Sequence, residues 1–428
     1  MRILHTSDWH LGHAFWEQSR HEEQAAFLDW LLETIQAHEV DALVVAGDVF
    51  DSPTSPNEAF QLYYSFLARL SALGGKTRSG GERMAVIVGG NHDSPGRLDA
   101  PRDVLTALST HVVGGFDASR TQDELEDPTG VLVPVRGADK QVGLVIAAVP
   151  FLNDWRIGVR GFDAGADEQR ASMNDRFRGV YSSLADRATK AYPGVPLIAT
   201  GHLTCLAKAG AQVTAEDSVP AEINRVGTLG AMGPGIFDPR FSYVALGHIH
   251  RGFHVDDARR IHYSGTPIQV GSVEGAQTRR VLLVDVDSSG VQVQPLAVPC
   301  RRRLVSVSGS LDEVRAKLEL MQVPEGEAAP FVAVRVMLTA PEPRVREFVI
   351  EAAQRNKACL PKVVDVQSPL QRTGPAVQAI DLPEGTQVTP ETAFLFAWQA
   401  SHGRDSQPPH DVWQRFRSLL PAGQGGAK

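Results

Sequence analysis

Eight side chains suited to holding metal ions or moving protons occur in five short motifs: Asp8 and His10 in SDWH, Asp48 in GDVFD, Asn91 and His92 in GNHD, His202 in GHLTC, and His248 and His250 in GHIH. Carboxylate, carboxamide and imidazole together form a mixed oxygen and nitrogen donor set. Such a set suits Mn, Fe or Zn better than Mg or Ca, whose shells are built of oxygen. Two cations fit the number of donors. A carboxylate has two oxygens and spans ions about 3.5 to 4 Å apart, the separation used in two-metal hydrolysis. With only Asp8 and Asp48 as charged ligands, two dications leave an excess of about two positive charges, which favours a phosphodiester and acidifies a water held between them. Any single motif is weak, since a lone His after a strand is usually structural and a lone Gly-Asp is usually a turn. Their joint placement carries the argument.

Nearly every motif follows a short apolar run rich in Val and Ile: Arg2 to Thr6, Ala42 to Ala46, Met84 to Val88, Pro196 to Thr200 and Tyr243 to Leu246, with Leu144 to Val149 as a further strand. Loops beyond the carboxyl ends of strands gather at one edge of an α/β sheet, so these placements predict a single cleft. Gly47, Gly90, Gly201 and Gly247 precede the motif residues and are expected to let the backbone turn or approach an ion closely. Between the first two strands, Ala25, Leu28, Leu31, Leu32 and Ile35 recur at helical spacing and predict an amphipathic helix over Glu22 to Ala37. A second helical stretch, Asn57 to Ala72, carries Phe60, Tyr63, Tyr64, Phe66 and Leu67; it serves either core packing or a subunit interface. The run Gly74 to Gly81 reads as a flexible surface loop, and Asn153 to Arg187 shows little pattern.

The fold class is α/β, with strand and helix alternating over the first 275 residues or so. Further strands are expected at Val281 to Val286 and Val291 to Val298. A strand, helix, strand, helix, strand pattern then covers Leu304 to Ser308, Leu311 to Leu320, Phe331 to Leu338, Arg344 to Asn356 and Lys362 to Val366, and predicts a small second domain. The expected organisation is a domain over 1–299, a second over 300–368, a linker over 369–388, a helical pair over 389–420 and a disordered end over 421–428. In the pair, Thr389 and Pro390 start one helix and Gly403 ends it, while Pro409 precedes the other. Phe394, Trp398, Val412, Trp413, Phe416 and Leu420 are more apolar surface than two short helices bury between themselves, so they need a host, either this chain's core or a partner.

At 428 residues and 43% hydrophobic content the chain exceeds one core. No apolar run reaches membrane-spanning length and the amino end lacks a secretory pattern, so a cytoplasmic protein with no membrane partner is expected. Cys205, Cys300 and Cys359 are too few and too scattered for a disulfide framework or a cysteine zinc site. A net charge of −8 has the wrong sign for coating DNA by bulk charge, so any nucleic-acid contact must be local, through bound metals or clusters such as Arg301, Arg302 and Arg303.

The five motifs in this order resemble the calcineurin-like metallophosphoesterases over most of residues 1–275. The resemblance implies a β-sandwich flanked by helices. It also implies that Asp8, His10 and His250 hold one ion, that Asn91, His202 and His248 hold the other, that Asp48 bridges them, and that the ions are Mn. It places His92 on the substrate side, stabilising the transition state or protonating the leaving oxygen; a structural turn histidine is the alternative. Asp51 and Asp93 are candidates for orienting histidines, or are solvated loop residues.

The stretches MRILHTSDWHLG, FLDWLLETIQAHEVDALVVAGDVFD, GNHDS, IATGHLT and YVALGHIHR further resemble the SbcD family, bacterial counterparts of the nuclease subunit of the double-strand-break repair complex. That resemblance implies a DNA nuclease acting as a 3′ to 5′ exonuclease on duplex ends and as an endonuclease on single strands and hairpins, in repair, recombination and replication. It casts the small α/β module as a capping domain that shapes the DNA path, and the helical tail as the grip on the coiled coil of an SbcC-like ATPase. It also implies a homodimer within a heterotetramer, paired near Phe60 to Phe66. Competing readings are a phosphatase or phosphodiesterase for small molecules or phosphoproteins, which has no use for the carboxyl-terminal third, and a non-catalytic DNA-end tether, which has no use for Asp48 and His92.

Overall fold

The computed structural model describes residues 1–115, 130–153, 156–157, 166–206, 232–256, 258, 260–271, 278–323, 327–340, 342–356, 359–367, 389–403 and 406–418. In chain order its first elements are β1 (Arg2–Thr6), β2 (Ala14–Phe15), β3 (Gln18–Ser19), α1 (His21–Ala37), β4 (Ala42–Ala46), α2 (Asn57–Ser71), β5 (Met84–Val88), α3 (Pro95–Asp99), α4 (Arg102–Thr106) and β6 (Thr110–Val113). Then follow β7 (Leu132–Arg136), β8 (Val142–Ala147), α5 (Ala166–Ala191), β9 (Leu197–His202), β10 (Phe241–Gly247), β11 (Phe253–His254), β12 (Ile261–Tyr263), β13 (Arg280–Asp287) and β14 (Gly290–Ala297).

These strands form two six-stranded sheets, ordered β14-β13-β1-β4-β5-β6 and β11-β12-β10-β9-β8-β7. The strands that lead into the motifs run parallel within each sheet, β1 beside β4 and β5 in one, and β9 beside β10 in the other. Their carboxyl ends therefore face the same way in each sheet. The period of two divides the side chains between layers. Ile3, Ala42, Val44, Val86 and Val88 point into the space between the sheets, where they meet Leu144, Ile198 and Val244. Their neighbours Leu4, Leu43, Val45, Ala85 and Ile87 point outward and are covered by α1 and α2. Burying each such side chain contributes roughly 1.5 to 3 kcal/mol, so the sandwich is a rigid base for the loops at its edge.

On α1, Leu28, Leu31, Leu32 and Ile35 are buried as the spacing predicts, with Phe27 taking a larger share than the half-buried Ala25. On α2, Tyr63, Phe66 and Leu67 belong to the chain's own core, which leaves Tyr64 exposed and Phe60 and Leu62 half-buried. The loop 74–81 lies at the surface but is tethered there: Ser79 donates from its backbone N–H (2.9 Å) and its hydroxyl (2.7 Å) to Asp41. The stretch that showed little pattern contains most of α5, whose Phe177, Tyr181, Leu184 and Ala188 are buried at helical spacing; that period is present in the sequence beneath a strongly polar average.

The next unit consists of β15 (Leu304–Gly309), α6 (Leu311–Glu319), β16 (Phe331–Met337), α7 (Val345–Asn356) and β17 (Leu360–Gln367), with its three strands parallel. Ser310 and Glu313 close a capping box at the start of α6. Val314, Leu318, Val332, Val334, Val336 and Val349 give it a core of its own. It meets the sandwich where Phe331 packs edge-on against Phe15 at 4.9 Å and Trp16 at 5.9 Å. There Arg302 donates to Glu23 at 2.8 Å. Arg303 pairs with Glu327, so two of the three clustered arginines serve the fold.

The tail forms α8 (Pro390–His402) and α9 (His410–Ser418). Thr389 caps α8 by accepting from the Thr392 N–H, and Gly403 ends it at φ 104°. Phe394 stacks on Phe416 at 4.2 Å and lies 5.1 Å from Trp413, so the helices cover part of each other's aromatic surface. Phe394, Trp398, Val412, Trp413 and Phe416 nonetheless remain only half-buried, and the Trp398 indole N–H has no hydrogen-bond partner among the described residues. Leu420, the expected linker 369–388 and the expected disordered end 421–428 lie outside the described residues. Among the described residues no helix is long and apolar enough to cross a membrane.

Candidate metal centre

The five motif loops converge at the edge of the sandwich. Asp48, at the end of β4, sits at the middle. Its Oδ2 lies 3.3 Å from Nε2 of His202 and 3.8 Å from Nε2 of His10, so one carboxylate oxygen faces a histidine from each sheet. Its Oδ1 accepts from the backbone N–H of His92 at 2.8 Å. On one side, Nε2 of His10 and Nε2 of His250 face each other at 3.1 Å, and Asp8 joins them in a cluster whose ligand atoms all lie within 4.8 Å. On the other side, the Asn91 carboxamide oxygen stands 3.0 Å from Nε2 of His202 and 2.9 Å from Nδ1 of His248. Two lobes of donors thus share Asp48.

The backbone is held away from its ordinary conformations to achieve this. Asp8, His10, Asp48 and His248 have φ of 54°, 46°, 50° and 93°. Left-handed backbone is uncommon for side chains other than glycine and persists only where surrounding structure enforces it, typically at functional sites. The preceding glycines contribute in two different ways. Gly47 is itself left-handed at φ 90°. Gly90 is needed for close approach, because a Cβ there would stand 2.1 Å from Oδ1 of Asp48.

Electrostatics follow from burying these groups together. Burial pushes the Asp48 carboxyl up, but the charge and hydrogen bond of His202, then the charges of His10 and His92, outweigh it and hold it well below the carboxylate range. Burial pulls the His202 imidazole down, and Asp48 overrides this to raise it to about 9. His248 is lowered to about 3 by burial and then by His202. The buried Asp48 carboxylate thus favours positive charge beside it, which a bound cation would supply. The donor set, with bases facing bases at about 3 Å and a buried carboxylate between two lobes, fits two divalent ions.

Around the donors the two expected helper carboxylates separate. Asp51 Oδ1 stands 3.4 Å from Nδ1 of His10 and 2.9 Å from Nδ1 of His13, and its backbone oxygen accepts from Nδ1 of His92 at 2.7 Å. Asp93 is buried and accepts from the N–H groups of Val49 (3.1 Å), Phe50 (2.9 Å) and Gly90 (2.9 Å), so it fastens the Asp48 loop rather than a histidine. Burial and the nearby Asp48 raise its carboxyl to about 6 against those three bonds.

Sequence reasoning missed His13, Ser7, Ser264 and Thr266. Ser7 donates to Asp8 at 2.5 Å and also meets the Ser264 hydroxyl at 2.8 Å; the Thr266 hydroxyl bonds the Asp8 carbonyl at 2.8 Å. The SGTP stretch after β12 was the available signal, a turn following a strand like the five motifs but without a ligand residue.

Residues 1–252 match the calcineurin-like phosphoesterase family. The D component of the nuclease SbcCD of Escherichia coli K12 is 35% identical over 325 residues, which is 74% of each chain. That of Rhodobacter capsulatus is 33% identical over 354 residues, 80% of this chain and 81% of its own. This chain belongs to the calcineurin-like phosphoesterases, in the SbcD family. As a calcineurin-like phosphoesterase it is a metal-dependent phosphodiesterase, and its two-lobed His and Asp cluster supports two divalent ions. The resemblance read from the motifs and the β-sandwich flanked by helices both stand.

Proposed function

We propose that this chain is the nuclease subunit of a DNA-processing complex and cleaves DNA phosphodiesters at the two-lobed centre. The observation that carries this is the position of Asp48, whose Oδ2 faces both His10 and His202. In this reading Asp8, His10 and His250 hold one ion, Asn91, His202 and His248 the other, and Asp48 both. The mixed imidazole and carboxylate donors suit Mn, Fe or Zn better than Mg or Ca, and the resemblance to the family makes Mn the expected metal. Once bound, the two ions supply Lewis-acid polarisation of the phosphodiester and an acidified water. His92 is given no ion in this reading, although it lies beside His10 and Asp51 with ligand atoms within 4.8 Å; its Nδ1 is engaged by the Asp51 carbonyl, which leaves Nε2 to stabilise the transition state or protonate the leaving oxygen. The Asp51 carboxylate, 3.4 Å from Nδ1 of His10, is placed to orient that ring.

The expected activities are 3′ to 5′ exonuclease on duplex ends and endonuclease on single strands and hairpins, in cytoplasmic DNA repair, recombination and replication. The unit over 300–368 acts as a capping domain. The partner is an SbcC-like ATPase, gripped through the half-buried aromatic face of α8 and α9, with Leu420 extending it. Two copies pair within a heterotetramer, and Tyr64 with Phe60 and Leu62 is the apolar surface of α2 left for that contact.

The test is Mn-dependent release of nucleotides from end-labelled duplex DNA by wild type and by His92→Ala, with a chelator control. Activity lost in the variant at unchanged metal content supports the reading. No DNA cleavage by wild type, even with the ATPase and ATP, alongside rapid hydrolysis of a small phosphodiester, would move the assignment to a small-substrate enzyme.

A further inference from the structure

Four residues beyond His10 the chain enters the β2–β3 hairpin, whose two central residues are Trp16 and Glu17, at φ 49° and 67°. Positive φ at both positions is the pattern that Asn-Gly adopts without steric cost, so a bulky indole and a carboxylate are held there against local preference. The strained turn is braced rather than loose. Trp16 stacks on Phe15 at 4.6 Å, and Phe331 of the second unit closes on both rings. The Trp16 side chain is only half-buried and forms one wall of a cavity of about 410 Å³ between the hairpin and the second unit.

The other walls include Gln18, Phe331, Ile350, Leu360 and Lys362. The volume lies in the roughly 300 to 1,000 Å³ range of small-ligand pockets. The floor is aromatic and aliphatic, the described lining holds no carboxylate, and its one ammonium is the exposed Lys362. A flat apolar body with one adjoining negative charge complements this surface, which describes a nucleotide whose base has left the stack and whose phosphate remains outside.

We propose that this cavity receives one unpaired nucleobase of a DNA end, with Trp16 as the stacking wall and Lys362 meeting a neighbouring backbone phosphate. The inference rests on the nuclease reading above and adds to it a preference for ends that carry an unpaired nucleotide. Trp16 acts as a specificity residue. A blunt duplex end has no free base to offer the cavity, so its binding should not depend on the indole.

The experiment is equilibrium binding by the metal-loaded full chain to DNA ends protected by phosphorothioate linkages, either blunt or with a short overhang containing one 2-aminopurine. The expected result is quenching of the 2-aminopurine by wild type and by Trp16→Phe. With Trp16→Ala the quench is lost and overhang binding weakens about tenfold, while blunt-end binding stays within about twofold. Lys362→Glu should weaken overhang binding with the quench retained at saturation. Equal weakening of both DNAs by Trp16→Ala would overturn the proposal by showing a structural role, and so would an unchanged quench. Loss of the ATPase partner by Trp16→Ala with DNA binding intact would assign the cavity to a protein segment instead. If wild type cleaves DNA and these variants fail to discriminate ends, this inference alone falls; if wild type neither binds nor cleaves DNA, it falls with the nuclease reading.

Discussion

The backbone oxygen of Asp51 lies 2.7 Å from Nδ1 of His92, while the backbone N–H of His92 donates to Asp48. The imidazole is thus oriented by one motif loop, and its peptide group supports the central carboxylate of the same loop. Removing the side chain leaves the hydrogen bond from the His92 backbone N–H to Asp48 in place. His92→Ala should therefore keep its metal, measured by elemental analysis, and lose about 10²- to 10⁴-fold in kcat on DNA, the usual scale for a lost proton-transfer group. A loss of metal together with activity would show that His92 builds the centre instead of acting on the substrate.

Asp48 itself predicts the opposite pattern. Its Oδ2 faces both histidine lobes, so Asp48→Asn should bind fewer than two ions per chain and show no nuclease activity. Metal should also stabilise the fold, because Asp8, His10, Asp48 and His248 are held at positive φ around the donors. Chelation is expected to lower the melting temperature of wild type, with a contribution of about 2.7 kcal/mol at a metal concentration 100 times Kd. The shift should be smaller in Asp48→Asn. Equal shifts in the two proteins would contradict the central role of this carboxylate.

A histidine away from the motifs gives a pH signature. His5 is fully buried between the sheets, 2.9 Å from the Tyr243 hydroxyl, and burial followed by the charge of His262 lowers its pKa to about 3. The unfolded chain takes up a proton near pH 6.5 that the folded chain refuses, so stability is complete above that pH and falls as pH drops from about 6.5 towards 3. At pH 5 the loss is on the order of 2 kcal/mol. Unfolding free energies from denaturant titration at pH 7.5 and pH 5 in a chelator should differ less for His5→Gln than for wild type by about that amount.

At the junction of the two units, Glu23 accepts from Arg20 at 3.0 Å and from Arg302 at 2.8 Å, and both Glu23 and Arg20 are buried. Glu23→Ala leaves two guanidinium groups at least partly buried without their shared carboxylate. Breaking a buried pair in this way costs about 3 to 5 kcal/mol. Faster proteolysis of the segment between β14 and β15 should accompany the lower stability. A variant as stable and as resistant as wild type would mean that Phe331 alone fastens the units.

The legible parts of this fold were those where sequence and tertiary structure use the same period. β1, β4 and β5 are continuous apolar runs because both faces are covered, and each leads into a polar motif, so the residues that the fold gathers at one edge could be listed from the sequence. The β2–β3 hairpin left no trace because its strands have two residues each and its turn holds Trp16 and Glu17 where a turn signal would have Asn-Gly. Asp51 and Asp93 looked alike in sequence, since each is the last residue of its motif. Only the fold shows that one faces histidine rings and the other backbone N–H groups.

The tail carries the last expectation. α8 and α9 pack through Phe394, Trp413 and Phe416 yet leave these rings half-buried, and two short helices bury too little surface to be stable alone. A partner surface supplies the missing burial if the tail grips the coiled coil of an ATPase. Trp398→Asp combined with Val412→Asp should then abolish co-purification with the ATPase while leaving nucleotide release by the isolated chain within about twofold of wild type, because buried charges without partners prevent docking. Retained co-purification would place the ATPase contact elsewhere. Loss of activity in the isolated chain would instead show that the tail docks on the nuclease itself.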